Sequence, residues 1–256
     1  MPAWHKSAIM PEDKIITKNL SPDLSVVVLC YQTGKNTETF VESIIKHFFS
    51  NNITNYELVL VGNYHPGKKD DTPEVLRLLA AKYAFVKFVA KPKQGMMGWD
   101  MRSGLEIASG NFIAIIDGDG QMPIDDIARV YKEIKSSDCD LVKTFRTKRG
   151  DGAWRRIISI VYNAIFILLF PGVFYRDINS KPKIFSRSAL NKLHLCSNDW
   201  FIDAEIMILA RRHKLIIKEI PTNFFKLADR ASYVKFSAIF EFIKNLIIFR
   251  IKEFKK

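Results

Sequence analysis

A chain of 256 residues, 48% of them hydrophobic, can bury one sizeable core or one large α/β domain with an appendage. Its three cysteines, Cys30, Cys139 and Cys196, are scattered and odd in number, which excludes zinc or redox spacing and makes a reduced, cytosolic setting the expectation. A formal net charge of +12 calls for an anionic partner, whether nucleic acid, phosphorylated substrate or lipid surface, and does not choose among them.

Residues 1–23 read as an N-terminal extension without an apolar core of useful length, so no signal peptide is expected. From Leu24 the pattern alternates. "LSVVVLC" predicts a buried strand, and "NTETFVESIIKHFF" a helix with apolar residues at helical spacing. "YELVLVG" predicts a second strand, "TPEVLRLLAAKY" a helix with a Thr-Pro start, and "FVKFVAK" a third strand. A helix through "WDMRSGLEIAS" leads to the strand "NFIAIID", and a helix near "IDDIARVYKEIKS" leads to the strand "DLVKTF". Such alternation argues for a mostly parallel sheet covered on both faces. Ligands of such sheets gather at the carboxyl ends of the strands, where "DGDGQ" (117–121) falls.

The second half differs. An uncharged run from Ile157 to Tyr175 is broken at Pro171-Gly172. Its unbroken part, Ile157 to Phe170, would span about 21 Å as a helix, short of the roughly 30 Å of a bilayer core. The last stretch is apolar along Phe236, Ile239, Phe240, Ile243, Ile247 and Phe254. Lys244, Lys252, Lys255 and Lys256 lie toward the other side of that helix, and Lys235 and Arg250 interrupt the stripe. The expected division is therefore 24–233 as one α/β domain, with halves 24–145 and 146–233, and 234–256 as a basic amphipathic helix. Such a helix suits peripheral attachment to an anionic membrane face, with dimer or tetramer formation through the same stretches as the alternative. No nucleic-acid module or stacking platform is visible.

The acids of "DGDGQ" stand out in a basic chain. An EF-hand loop also opens Asp-x-Asp, but its sixth and twelfth places need Gly and Glu, and Met122 and Ala128 stand there. A solvated strand-end turn is the bland reading. The functional one is a divalent cation held by carboxylate and amide oxygens, which in turn grips phosphates. Hard oxygen ligands suit Mg²⁺ or Mn²⁺.

At this turn the chain resembles a known family. An α/β half ending in Asp-x-Asp, preceded by "RSGLEIASGNFIAIID", is similar to the family 2 glycosyltransferases with a GT-A fold. More narrowly it resembles the polyprenyl-phosphate sugar synthases of the dolichyl-phosphate mannose synthase type, from about Leu24 to Lys235. Asp-Ala-Asp-x-Gln stands as Asp117-Gly118-Asp119-Gly120-Gln121. Gly-Lys-Gly-x-Ala-x-Arg-x-Gly stands as "MMGWDMRSG", keeping Gly98, Arg102 and Gly104, and Gly-Ser-Arg stands as "TFR", keeping Arg146. Arg-x-x-Ser-x-x-x-Asn stands as Arg156, Ser159 and Asn163. Asp-x-x-Ser-Gly-Phe-Arg stands as "DINSKPK", keeping Asp177 and Ser180 with Lys183 in the arginine place. Trp-x-Phe-Asp-x-Glu stands as "WFIDAE", followed by the strand "IKEIPT". Each motif alone is weak; their order carries the resemblance.

The resemblance implies a GT-A α/β fold with C-terminal interface helices, and inverting transfer from a nucleotide-sugar donor to a polyprenyl phosphate with Mg²⁺ or Mn²⁺. It implies catalytic roles for Asp117, Asp119 and Arg146, and donor contacts from Tyr31, Asn63, Arg102 and Asp117. Acceptor contacts would come from Arg146, Arg156, Ser159, Lys183 and Arg230, and metal contacts from Asp117, Asp119 and Gln121. Alternatives are a family member acting on a saccharide hydroxyl and a non-catalytic basic membrane-binding module. Three departures fall where the family grips the base, ribose or pyrophosphate. Pro-x-Tyr-Asn-Glu is replaced by "LCYQTG", which keeps Tyr31 and puts Gln32 after it; Gly62-Asn63 stand where aspartates are usual; and Met97 replaces a lysine.

The basic run Lys143, Arg146, Lys148, Arg149, Arg155 and Arg156 reads either as a solvated loop or as a clamp for an acceptor phosphate, with the apolar run after it taking the prenyl chain. A hydroxyl acceptor needs a positioned base, whereas a phosphate monoester is already anionic near pH 7. Asp203, at a predicted helix start, would be that base in hydroxyl-directed relatives and structural in lipid-phosphate ones.

Overall fold

The computed structural model describes residues 21–149, 161, 163–172, 175–225 and 243–251. The strands and helices expected from Leu24 to Phe145 all form, with ends shifted by a few residues. β1 (Leu24–Leu29), β2 (Tyr56–Val61), β3 (Val86–Val89) and β4 (Phe112–Asp117) pair in parallel. They are connected by α1 (Asn36–Ser50), α2 (Thr72–Lys82) and α3 (Met97–Ile107). After α4 (Asp125–Lys135) come β5 (Leu141–Arg149), α5 (163–169), β6 (Lys183–Ser186), α6 (Arg187–Lys192), α7 (Ile202–Arg212), β7 (Ile217–Phe224) and α8 (243–251).

Among the described residues seven strands make one sheet in the order β3-β2-β1-β4-β6-β5-β7. The expected mostly parallel sheet is present; β6 alone runs antiparallel, to both β4 and β5, while β5 and β7 are parallel. Alternate residues of β1 face opposite layers, as the strand period requires. Val26 and Val28 pack with α1, α2 and α4, and Val27 and Leu29 pack with α3, α5, α7 and α8. Gly104 lets α3 lie directly on the sheet, because a Cβ there would come within 2.5 Å of Val27 Cγ1 and 2.7 Å of Val61 Cγ2.

β1 sits between β2 and β4, so the winding of the chain reverses at β1 and β4, and Leu29 and Asp117 face each other at their carboxyl ends. In open α/β sheets the crevice at such a reversal is the binding site. The last described segment is tied to this body. Leu246 of α8 is fully buried, the Phe249 ring centroid lies 4.8 Å from that of Phe201, and Asn245 Nδ2 donates to Asp199 Oδ2 at 2.7 Å. Among the described residues no helix is long and apolar enough to cross a membrane.

At the opposite end of the sheet, buried Glu57 ties three strands together. It accepts from Ser25 Oγ (2.6 Å) and Ser109 N (2.6 Å), and pairs with Lys87 Nζ at 2.7 Å. Burial opposes its charge, but Lys87, Ser25 and Ser109 together hold the carboxyl below the usual glutamate range. A depressed folded-state pKa gives stability that is complete above the unfolded value of about 4.3 and is lost as pH falls through the folded value. Glu57→Gln should lower stability at pH 7 by about 1–3 kcal/mol. It should also flatten the fall of Tm below about pH 4.3, which thermal melts from pH 3 to pH 7 will check.

Candidate active site

β4 delivers Asp117 as its last residue, and a bonded turn carries the other two oxygen donors. Gly118 N donates to Leu29 O (2.9 Å), and Gln121 N donates to Asp119 Oδ1 (3.0 Å). Gly120 supplies a φ of +75°, which side chains rarely adopt, and Gln121 O accepts from Phe225 N (2.9 Å) just beyond β7. The structure thus puts Asp117, Asp119 and Gln121 at the reversal point. Among the described residues no three His, Cys, Asp or Glu side chains are grouped to hold an ion. An ion shared with phosphates needs only one or two protein carboxylates, with phosphate and water filling its shell. The all-oxygen donor set fits Mg²⁺ or Mn²⁺ on that basis.

Behind the turn lies a buried trio of charges. Asp203, in the first turn of α7, has no exposed surface; its Oδ1 takes Lys183 Nζ (2.5 Å) and its Oδ2 takes Lys181 Nζ (3.0 Å). Lys181 Nζ also stands 3.5 Å from Asp117 Oδ2 and 3.2 Å from Met97 Sδ. Burial opposes the charge of Asp203, yet the two lysines hold its carboxyl below the usual range. Burial pushes Lys183 down to about 8. Lys181 is also desolvated, but Asp117 and Asp203 together raise it above the usual lysine value.

A second buried group sits under β2. Asn63 Nδ2 donates to Asp100 Oδ1 (3.0 Å) and Ser103 Oγ (3.3 Å), while its Oδ1 accepts from Lys91 N (2.8 Å). Asp100 also binds Lys93, whose Nζ lies 4.1 Å from the centre of the Tyr31 ring. Burial raises the Asp100 carboxyl, with Lys93 and Asn63 opposing.

The expected site residues therefore divide. Asp117, Asp119, Gln121 and Tyr31 stand at the strand ends. Asn63, expected to touch the donor, is buried and bonded to the protein through both amide atoms. Arg102, also expected at the donor, turns to the loop before α7, where its NH1 donates to Cys196 O (3.1 Å) and to Asn198 Oδ1. The same loop covers the start of α3, since Asn198 O accepts from Met96 N (2.7 Å) and Asp199 O from Gly98 N (2.9 Å). Lys183, expected at the acceptor, is fully buried against Asp203 because it shares a strand face with core residue Phe185. Lys143, read as part of a basic clamp, is likewise buried, with Glu219 at 2.7 Å.

Arg146, expected at the acceptor, lies on β5. Asp177 holds it in a two-point pair, Nε to Oδ2 at 2.6 Å and NH2 to Oδ1 at 2.9 Å, and its guanidinium lies 5.3 Å from the centre of the Phe224 ring. Arg156, Ser159 and Arg230 lie outside the described residues. Lys93, Asp100 and Lys181 were missed; the available signal was a charge in the alanine place of one motif and in the glycine place of another.

The chain resembles known proteins along most of its length. The model described as "Glycosyl transferase family 2" matches residues 25–199. Dolichyl-phosphate beta-glucosyltransferase ALG5A of Trichomonas vaginalis (strain ATCC PRA-98 / G3) is 26% identical over 242 residues, covering 88% of this chain and 72% of that protein. ALG5D of the same organism is 24% identical over the same shares. Among solved structures, glucosyl-3-phosphoglycerate synthase from Mycobacterium tuberculosis, in complex with Mn²⁺, UDP-glucose and phosphoglyceric acid, superposes with a TM-score of 0.63. It is 18% identical, and the match covers 90% of this chain and 79% of that one. The mannosyltransferase PcManGT from Pyrobaculum calidifontis, in complex with GDP-Man and Mn²⁺, gives a TM-score of 0.58 at 17% identity, covering 88% and 62%. These likenesses establish the expected GT-A fold.

Removing Asp203 would strand the buried Lys183 ammonium and leave Lys181 with the Asp117 carboxylate at 3.5 Å. Asp203→Asn should cost about 3–5 kcal/mol, the range for breaking a buried ion pair from one side. Adding Lys183→Met should return more than half of that loss, because one stranded charge goes with it. Chemical denaturation of the single and double variants measures both.

Proposed function

The chain belongs to glycosyl transferase family 2 and is a glycosyltransferase, and we propose that it moves a sugar, with inversion, from a nucleotide-sugar to a polyprenyl phosphate. The carrying observation is the state of Asp203. A hydroxyl acceptor needs a positioned base, and the side chain that would serve is buried with both oxygens committed to lysines. An acceptor that arrives as an anion needs no base, and the dolichyl-phosphate activity in the names of the similar proteins supports that class.

In this reading an acceptor phosphate oxygen gives its electron pair to the anomeric carbon. The bond from that carbon to the nucleoside diphosphate breaks on the opposite face, and its electron pair leaves with the diphosphate. Asp117, Asp119 and Gln121 would hold Mg²⁺ or Mn²⁺, which when bound offsets charge on the leaving diphosphate. Tyr31 offers a ring beside the strand ends for the base. Arg146, its fork oriented by Asp177, is the described candidate for the acceptor phosphate; Arg156, Ser159 and Arg230 complete that set as proposals. Lys183 enters as a partner of Asp203 instead of an acceptor ligand, and Asn63 and Arg102 as supports of α3.

Attachment to a cytoplasmic membrane face belongs to the same reading. Leu168 of α5 is 81% exposed, and Ile247 and Ile251 of α8 are 46% and 49% exposed. The two segments meet at Phe170, over which Arg250 sits at 5.9 Å. Exposed apolar residues beside cations suit an anionic leaflet.

With a synthetic polyprenyl phosphate, turnover should vanish in excess EDTA, and Asp119→Ala should reduce kcat by about 100-fold or more. Full turnover in EDTA, or transfer only to free saccharides, would replace this reading with the hydroxyl-directed one. Arg146→Lys should raise the apparent KM for the lipid more than for the donor, because an ammonium lacks the planar fork. Serine at Leu168, Ile247 and Ile251 together should weaken pelleting with anionic vesicles about tenfold or more, at unchanged Tm. Unchanged pelleting, with a smaller assembly by light scattering, would assign these residues to oligomer contacts. Truncation is unsuitable here, since Leu246 belongs to the core.

A further inference from the structure

The segment 177–183 joins the two charged features of the candidate site. At its start Asp177 holds the Arg146 guanidinium, with Nε at 2.6 Å from Oδ2. Further on, Lys181 Nζ stands 3.5 Å from Asp117 Oδ2 at the end of β4. Ser180 Oγ bonds Thr144 Oγ1 at 2.8 Å, and Lys183 Nζ donates to Asp203 Oδ1 at 2.5 Å. Each of these polar side chains is bonded within the protein; Asn179, in the middle of the segment, is the exception. Its Oδ1 is shielded from solvent and has no hydrogen-bond partner, although the residue as a whole is only half-buried. We propose that Asn179 contacts the sugar being transferred, its carbonyl oxygen accepting a hydrogen from one sugar hydroxyl; this rests on the nucleotide-sugar reading above.

Chemistry and position both select a sugar hydroxyl. A buried acceptor without a partner bears the full desolvation cost of the group, so each one kept in a native protein calls for a physical reason. The missing partner has to be a hydrogen donor. A phosphate oxygen brings lone pairs instead, whereas a hydroxyl brings an O–H. Asn179 is two residues from Asp177 and two from Lys181, so its Cα lies within about 7.6 Å of each of theirs. On the reading above, the donor diphosphate sits at Asp117 and the acceptor phosphate at Arg146, and the sugar passes from one to the other. Asn179 stands midway along the segment that links those two points.

A structural water on Asn179 is the rival occupant, since buried waters serve buried polar groups. The two readings part on stability. A water bound by Asn179 in the free protein would be lost with the amide, and the fold would weaken. An acceptor that is satisfied only by substrate gives the free protein nothing, so its removal costs no stability.

Titration calorimetry on the full chain in Mn²⁺ makes the test, with UDP-glucose against UDP and GDP-mannose against GDP. Each pair differs by the sugar. For the pair that the unaltered protein binds, Asn179→Ala should weaken the nucleotide-sugar about three- to tenfold, the scale of one hydrogen bond, and leave the diphosphate within about twofold. Tm should not fall. Among deoxy analogues of that nucleotide-sugar, the one lacking the bonded hydroxyl should bind the unaltered protein about as weakly as the parent binds Asn179→Ala, and should lose nothing further in the variant. Equal losses for nucleotide-sugar and diphosphate, no loss for either, or a lowered Tm would overturn the proposal. So would a raised apparent KM for polyprenyl phosphate with the donor unmoved, which would assign Asn179 to the acceptor. An unaltered protein that binds none of the four nucleotides would overturn the donor reading itself; binding without the sugar-dependent loss overturns the role of Asn179 alone.

Discussion

Asp203 is the point on which the carboxyl end of the sheet depends. A carboxylate with no exposed surface is costly unless it is paired and bonded, and this one is satisfied by two lysines from one short segment. Lys183 reaches it because alternate residues of a strand share a face, which turns Lys183 toward α7 on the side of Phe185. The position of Asp203 in the first turn of α7 helps, because the helix N-terminus favours negative charge. Around it lie Lys143 with Glu219 and Arg146 with Asp177. The result is a stratum of opposed charges laid over the apolar core, at the end of the sheet where ligands bind.

This stratum decides what chemistry the fold can offer. With both oxygens of Asp203 holding ammonium groups, no proton acceptor of ordinary basicity is presented from the start of α7. Among the described residues, this end of the sheet carries an oxygen-lined turn at the end of β4 and, on β5, a partly buried guanidinium oriented by Asp177. One set suits a cation carrying a diphosphate, the other suits a phosphate. On the proposed reading these serve two anionic partners, and charge management matters more than proton transfer.

The first half of the fold was legible because its signals are local. Apolar runs such as "LSVVVL" and "FIAII" lie on central strands, and helical spacing in "TFVESIIKHFF" reports the layer above them. The turn 117–121 was legible for the same reason, since a strand end is readable from the strand. β6 was not, because four residues beginning with a lysine and preceded by Pro182 carry no strand pattern. Its one lysine, Lys183, was expected at the acceptor, and only Asp203, 20 residues along the chain, makes it a core residue. Lys143 and Glu219, 76 residues apart, mislead in the same way. Arg102 stood in its motif place, but motif place does not specify which neighbour a long side chain takes; the Asn198 loop took it.

A motif records which residue type stands at a position, whereas a ligand meets a charge at a point in space. Around α3, Asn63 is bonded to Asp100 and Met97 Sδ stands 3.2 Å from Lys181 Nζ, so two uncharged residues each touch a buried charge. Buried charge cannot be deleted singly, because the partner left behind would bear the full desolvation cost.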